Sequence, residues 1–153
     1  MSSAMIHTEI ASRNFVVDAS RERVWRLIGK VIFSSLPGME EVEILDERSF
    51  RAFLRIKVSW IELRMRLKGE IVDMTPPHSL AVDLTIVGPG GLFKTNQKVT
   101  LDLTAIEARR TAVACKTTAE GGGTLFRGLL RRQARRFAHS TFEAIEKRLQ
   151  ELA

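Results

Sequence analysis

Residues 60–74 read WIELRMRLKGEIVDM, with Ile61, Leu63, Met65, Leu67 and Ile71 on one parity and Glu62, Arg64, Arg66, Lys68 and Glu70 on the other. Successive side chains of a strand point to opposite faces, so a period of two describes a strand with one buried and one wet face. A wet face indicates an antiparallel sheet, because parallel sheets are covered on both sides. Drawn straight, the stretch would reach ~50 Å at about 3.4 Å per residue, well beyond a usual strand, so it must bend to stay within a compact domain. Gly69 is the expected place for that bend or for a bulge.

The same period extends outward from Glu40 to Thr118. It predicts strands at 40–47, 50–58, 60–74, 79–88, 93–105 and 110–119, joined by Glu47-Arg48, Ser59, Pro76-Pro77-His78, Gly88-Pro89-Gly90-Gly91 and Ala108-Arg109. Links this short suit antiparallel hairpins. Upstream, 6–17 reads as a first strand. Asp18 or Ser20 can then cap a helix whose apolar positions Val24, Trp25, Leu27, Ile28, Val31 and Ile32 recur at helical spacing. Leu36-Pro37-Gly38-Met39 ends it in a type II turn, where Pro presets φ and Gly accepts φ > 0. Downstream of Gly121-Gly122-Gly123, Thr124 can cap a helix running to Leu152, ~43 Å long at about 1.5 Å per residue. Its apolar positions include Leu125, Leu129, Phe137, Phe142, Ile145 and Leu149. A helix and a sheet that each have one apolar face bury those faces against each other. The expected architecture is α+β: one domain over 1–153, with a curled seven-stranded antiparallel sheet around a long C-terminal helix.

With 44% hydrophobic and 27% charged residues in 153, the chain has the composition of a globular domain able to build its own core. No run approaches the roughly 18–20 apolar residues of a membrane span. The N-terminus MSSAMIHTEIASR has neither the basic start nor the apolar centre of a secretory signal, and a lone Cys115 forms no internal disulfide. The expected location is the cytoplasm, with peripheral contact at the inner face of the membrane left open.

Catalytic signals are sparse. His7, His78 and His139 fall in a strand, a turn and an Arg-rich helix, and read as surface residues. Cys115 sits in the alternating segment Thr111–Thr118 and reads as a buried, inert thiol. No HExxH, paired CxxC, GxSxG or GxxxxGK occurs, and Gly88-Pro89-Gly90-Gly91 lacks the strand-to-helix setting of a phosphate loop. Glu62, Glu70 and Asp83 occur singly among Lys and Arg, as surface ion pairs do rather than metal ligands. No catalytic residue, metal or cofactor is assigned.

A curled sheet closed by one helix leaves room between them for an apolar ligand. The candidate lining is Leu54 (or its neighbour Phe53), Leu63, Met65, Leu67, Leu84, Ile86, Phe93, Phe126, Leu130 and Phe137. The alternative for each is plain core packing. Lys plus Arg outnumber Asp plus Glu by 24 to 18. Arg127, Arg131 and Arg135 form one helical stripe, and Arg132 and Arg136 a second beside it. The cluster is either a solvated face or a contact for an anionic membrane or acidic partner. Nucleic acid is disfavoured, because Phe126 and Phe137 are better placed for the core than for stacking on bases.

The segment Leu36-Pro37-Gly38-Met39-Glu40-Glu41-Val42, followed by Phe50-Arg51-Ala52 and Ile56-Lys57-Val58, resembles the carbon monoxide dehydrogenase G-subunit family of the START-like, polyketide cyclase-like superfamily. Phe15, Val17, Ala19, Glu22, Val24, Trp25 and Leu27 resemble its opening strand and helix. Ala119 to Gly123 leading into Leu125, and Phe142-Glu143-Ala144-Ile145, resemble its last helix. The resemblance implies a helix-grip fold, with two short helices after the first strand and a deep apolar cavity under the C-terminal helix. In function it implies a non-enzymatic accessory or carrier for a molybdenum hydroxylase of the carbon monoxide dehydrogenase type, handling a lipophilic molecule such as a quinone or lipid. Two other readings stay open: a START-like cyclase or hydratase, and an interaction module built on the basic helix.

Overall fold

A computed structural model of the chain describes residues 8–34, 37–58, 60–91, 94–120 and 131–153. Seven strands, β1 (Thr8–Val17), β2 (Met39–Ile44), β3 (Ser49–Val58), β4 (Ile61–Thr75), β5 (Ser79–Val87), β6 (Lys94–Glu107) and β7 (Arg110–Glu120), form one sheet. Their order is β1-β7-β6-β5-β4-β3-β2, and every neighbouring pair is antiparallel. Helix α1 (Arg21–Ser34) lies between the two edge strands in sequence, and α2 (Arg131–Leu152) closes the chain.

Each element follows from its local chemistry. Ser20 caps α1, its Oγ accepting the Arg23 N–H at 3.2 Å. The face carrying Val24, Leu27, Ile28 and Val31 is buried. Among the described residues the β1–β2 connection holds this one helix, where two short ones were expected, because the apolar spacing continues unbroken through Gly29. Gly38 takes φ +77°, as the turn at Pro37-Gly38 requires. Strand β2 stops at Ile44, short of the expected 47, because Asp46 turns the chain: its carboxylate accepts the Arg48 N–H at 2.8 Å, and the Leu45 N–H reaches Ser49 O at 3.0 Å.

The long strand is present, but Gly69 is not its irregularity. It pairs in register with Phe50 on one side and Leu84 on the other, and the shift against β5 falls between Ile71 and Asp73. Glycine is needed at 69 because the Phe50 ring lies over it; a Cβ there would sit 2.2 Å from Phe50 Cε1.

Both helices pack on the inner face of the sheet. Val24, Leu27 and Val31 of α1 share a core with Val82, Leu101 and Val113 of the sheet and with Phe142, Ile145 and Leu149 of α2. A second cluster, Phe50, Leu54, Met65, Leu67 and Ile86, lies on the β3–β5 side, with Phe137 against it. Polar contacts tie α2 to β1: Arg13 Nε donates to Glu146 Oε1 at 2.6 Å, Gln150 Nε2 to Val16 O at 3.1 Å, and Arg135 Nε to Ile10 O at 3.3 Å. The expected helix start at Thr124 lies outside the described residues. No helix among the described residues is long and apolar enough to cross a membrane.

Candidate ligand site

Sheet and α2 do not meet everywhere. Between them lies an apolar space of about 50 Å³, floored by Phe50, Leu67, Val82 and Leu84 from β3 to β5. On the β6–β7 side its lining is Val99, Leu101, Gln97 and Thr117. From above it is covered by Phe137, Ala138, Thr141, Phe142 and Ile145 of α2, and Ile32 of α1 closes one side. In a helix residues four apart stack on one face, which is how Phe137, Thr141 and Ile145 come to overlook the same floor.

A second space, of about 110 Å³, lies between α1 and the sheet, among Trp25, Ile28, Gly29, Ile71 and Met74. Ile32, Phe50 and Val82 line both spaces and so form the wall between them. Gly29 is exposed, and nothing stands within 4 Å of where its Cβ would be, so this second space reaches the surface.

The opposite face of the sheet is wet and charged. There Arg51 pairs with Glu43 at 2.8 Å, Arg64 pairs with Glu41, and the Arg64 guanidinium stands 3.8 Å over the Phe53 ring. The groove at this place, about 610 Å³, is larger than the inner space but open, with Arg66 and Lys68 in its walls. An ion-paired surface offers an apolar molecule little exclusion from water, so the inner space, lined almost wholly by apolar side chains, is the better candidate.

Of the lining residues expected from the sequence, Leu67, Leu84 and Phe137 do face the inner space. Leu54, Met65 and Ile86 do not: they are buried in the adjoining cluster, with Leu63 half-buried against it, and fill the interior as core. His7, Phe93, Phe126, Leu130 and Arg127 lie outside the described residues. Gln97, Thr117 and Thr141 were missed because polar types do not advertise burial. For Gln97 the signal was positional, since counting back in twos from Leu101 along β6 passes half-buried Val99 and reaches buried Gln97 and Thr95.

No charged side chain lines the inner space among the described residues. Cys115 is buried, and burial pushes its thiol up to about 12. His78 and His139 are exposed, the former beside Arg21, whose guanidinium lies 3.2 Å from His78 Nδ1. Among the described residues no group of three His, Cys, Asp or Glu is gathered to hold a metal ion. The arginine stripes are less uniform than helical spacing suggests. Arg132, Arg135 and Arg136 are exposed and Arg131 is half-buried, and Arg135 also donates, through Nε, to the β1 backbone at Ile10 O.

Residues 14–150 match the family model of the carbon monoxide dehydrogenase G subunit (CoxG). The chain belongs to this family. No curated protein matches the sequence of this CoxG-family chain. Solved structures match its fold. A conserved protein from Geobacillus kaustophilus superposes with a TM-score of 0.73 at 21% identity, over 92% of this chain and 94% of that one. A START superfamily protein from Mycobacterium smegmatis gives 0.63 at 12% identity, over 97% and 100%. The Zhui aromatase/cyclase from a Streptomyces species gives 0.62 at 16% identity, over 96% and 94%. The CoxG-family chain therefore has the START-like helix-grip fold, a curved seven-stranded antiparallel sheet around its C-terminal helix.

Proposed function

We propose that this CoxG-family protein binds a lipophilic small molecule between the sheet and α2 without transforming it, as an accessory or carrier protein for a molybdenum hydroxylase of the carbon monoxide dehydrogenase type. The observation that supports this reading is the inner space itself: apolar on nearly all sides, with no charged or titratable group in its lining among the described residues. A general acid or base must reach the reacting atoms, and among the described residues the lining supplies none. Family membership points to the redox-enzyme context.

At about 50 Å³ the space is smaller than the roughly 150 Å³ cavity that holds a benzene ring, so a ligand has to enlarge it. The economical way is to turn Phe50 or Ile32 aside, which joins the inner space to the one beneath α1 and opens it past Gly29. A titration with Nile red, a neutral solvatochromic dye, tests the reading. The expected result is saturable binding near one dye per chain, displaced by geranylgeraniol. Leu67→Asp should abolish it or unfold the domain, since an unpaired buried carboxylate costs several kcal/mol. Folded wild-type protein with no saturable uptake of dye overturns the proposal.

The polar residues Gln97, Thr117 and Thr141 favour a second reading, a cyclase-type enzyme that orients an oxygenated substrate by hydrogen bonds alone. Chemical change of a bound polyketide-like substrate, absent from a Thr141→Val control, would establish it over simple carriage.

A further inference from the structure

We infer that Gln97, Thr117 and Thr141 form a polar corner that selects a neutral ligand, an apolar body bearing one ketone, ester or hydroxyl oxygen, and rejects carboxylates. This rests on the reading of the interior as a ligand site. Gln97 and Thr117 stand on adjacent strands: Gln97 is opposite Ala119 and Thr117 opposite Val99, so the two are diagonal neighbours on the inner face. Thr141 of α2 lines the same space from above. All three are neutral, and an amide and two hydroxyls can each donate or accept, so together they suit a carbonyl or an alcohol equally.

The corner is built into the interior rather than left at its rim. Gln97 is 5% exposed and Thr117 2%. Thr141 Oγ1 is fully enclosed and has no hydrogen-bond partner. A helical threonine commonly gives its hydroxyl to the carbonyl four residues back, here that of Phe137, and Thr141 does not. Thr95, on the same row of β6 two residues before Gln97, is 7% exposed and its Oγ1 is likewise without a partner. Buried hydroxyls left open are uncommon in folded proteins and destabilising. Of the two, Thr141 borders the apolar space, and its open hydroxyl marks a place where an incoming oxygen completes the bonding. Charge decides the rest. With no cation in the lining among the described residues, a carboxylate would be desolvated without a counter-charge.

Ethylbenzene, acetophenone and benzoate differ mainly in the group beside a common ring, and their binding at pH 7 can be measured by ligand-observed NMR. In wild-type protein, acetophenone is expected to bind saturably and benzoate not to. In the double variant Gln97→Leu, Thr141→Val, the ratio of the ethylbenzene Kd to the acetophenone Kd should fall about tenfold, the loss of two neutral hydrogen bonds. Should that variant not fold, the isosteric Thr141→Val alone should lower the ratio about threefold, and Thr141→Ser should retain it. Benzoate binding as tightly as acetophenone, or a ratio unchanged in the variants while ethylbenzene still binds, overturns the polar corner and leaves the lipophilic site standing. Failure of all three compounds and of Nile red to bind overturns both.

Discussion

Gly69→Ala should destabilise the protein, although alanine is the better strand residue by about 0.5–1 kcal/mol. The new Cβ would lie 2.2 Å from Phe50 Cε1 and 2.5 Å from Cζ, against an ordinary contact of 3.4 Å or more, so the ring has to retreat by about 1.2 Å. Phe50 is 3% exposed and packed against Leu54, Met65, Leu67 and Ile86, so its ring can yield only toward the two spaces it borders. Overpacking of this kind costs typically about 1–3 kcal/mol, and subtracting the propensity gain leaves about 1 kcal/mol at the middle of the two ranges. Urea unfolding followed by circular dichroism should show a lower midpoint at unchanged m, with Tm reduced by a few degrees. The decisive comparison is a double-mutant cycle. In a Phe50→Leu background the clash is gone, so Gly69→Ala should become neutral or stabilising, a coupling of about 1 kcal/mol or more. An equal cost in both backgrounds would refute the assignment of Gly69 to the close approach of this ring.

Two further outcomes follow from the same geometry. Because burial raises the Cys115 thiol from 9.0 to about 12, the folded state holds it protonated where the unfolded chain begins to ionise. Its contribution to stability is fully present below about pH 9 and is lost as pH rises toward 12, with a slope of up to about 1.4 kcal/mol per pH unit. With no tyrosine in the chain to titrate in that window, stability curves of wild type and Cys115→Ala should converge there, and native protein should resist thiol reagents at pH 8; rapid labelling without unfolding would contradict it. On α2, Arg132→Gln with Arg136→Gln should leave the unfolding midpoint within about 0.5 kcal/mol of wild type, both side chains being exposed. If the basic face docks on anionic surfaces, the same pair should lose salt-sensitive binding to phosphatidylserine vesicles, and equal sedimentation of wild type and variant at low salt would assign the residues to solvent.

Residue types and their spacing were enough for the elements. Side-chain parity is a local consequence of strand geometry, so seven strands, the wet and buried faces of β4 and the cap of α1 were legible from the chain. Gly69 was visible as an exception to the pattern, but its reason was not, because the Phe50 ring that requires it comes from another strand. The arginines show the same limit. Helical spacing placed Arg131, Arg132, Arg135 and Arg136 on stripes, whereas the diversion of Arg135 to the Ile10 carbonyl depends on where β1 lies. Packing between distant elements settled which members of the buried row fill the core and which face a gap. Leu54 and Leu67 have the same side chain and the same buried setting, yet only Leu67 borders the space under α2. It also brought Thr141 over Gln97 and Thr117, which share the β6–β7 hairpin, since α2 meets that hairpin only when the sheet closes around it. Periodicity reports which face of an element is buried; what stands opposite that face is set by long-range packing, which no local pattern encodes.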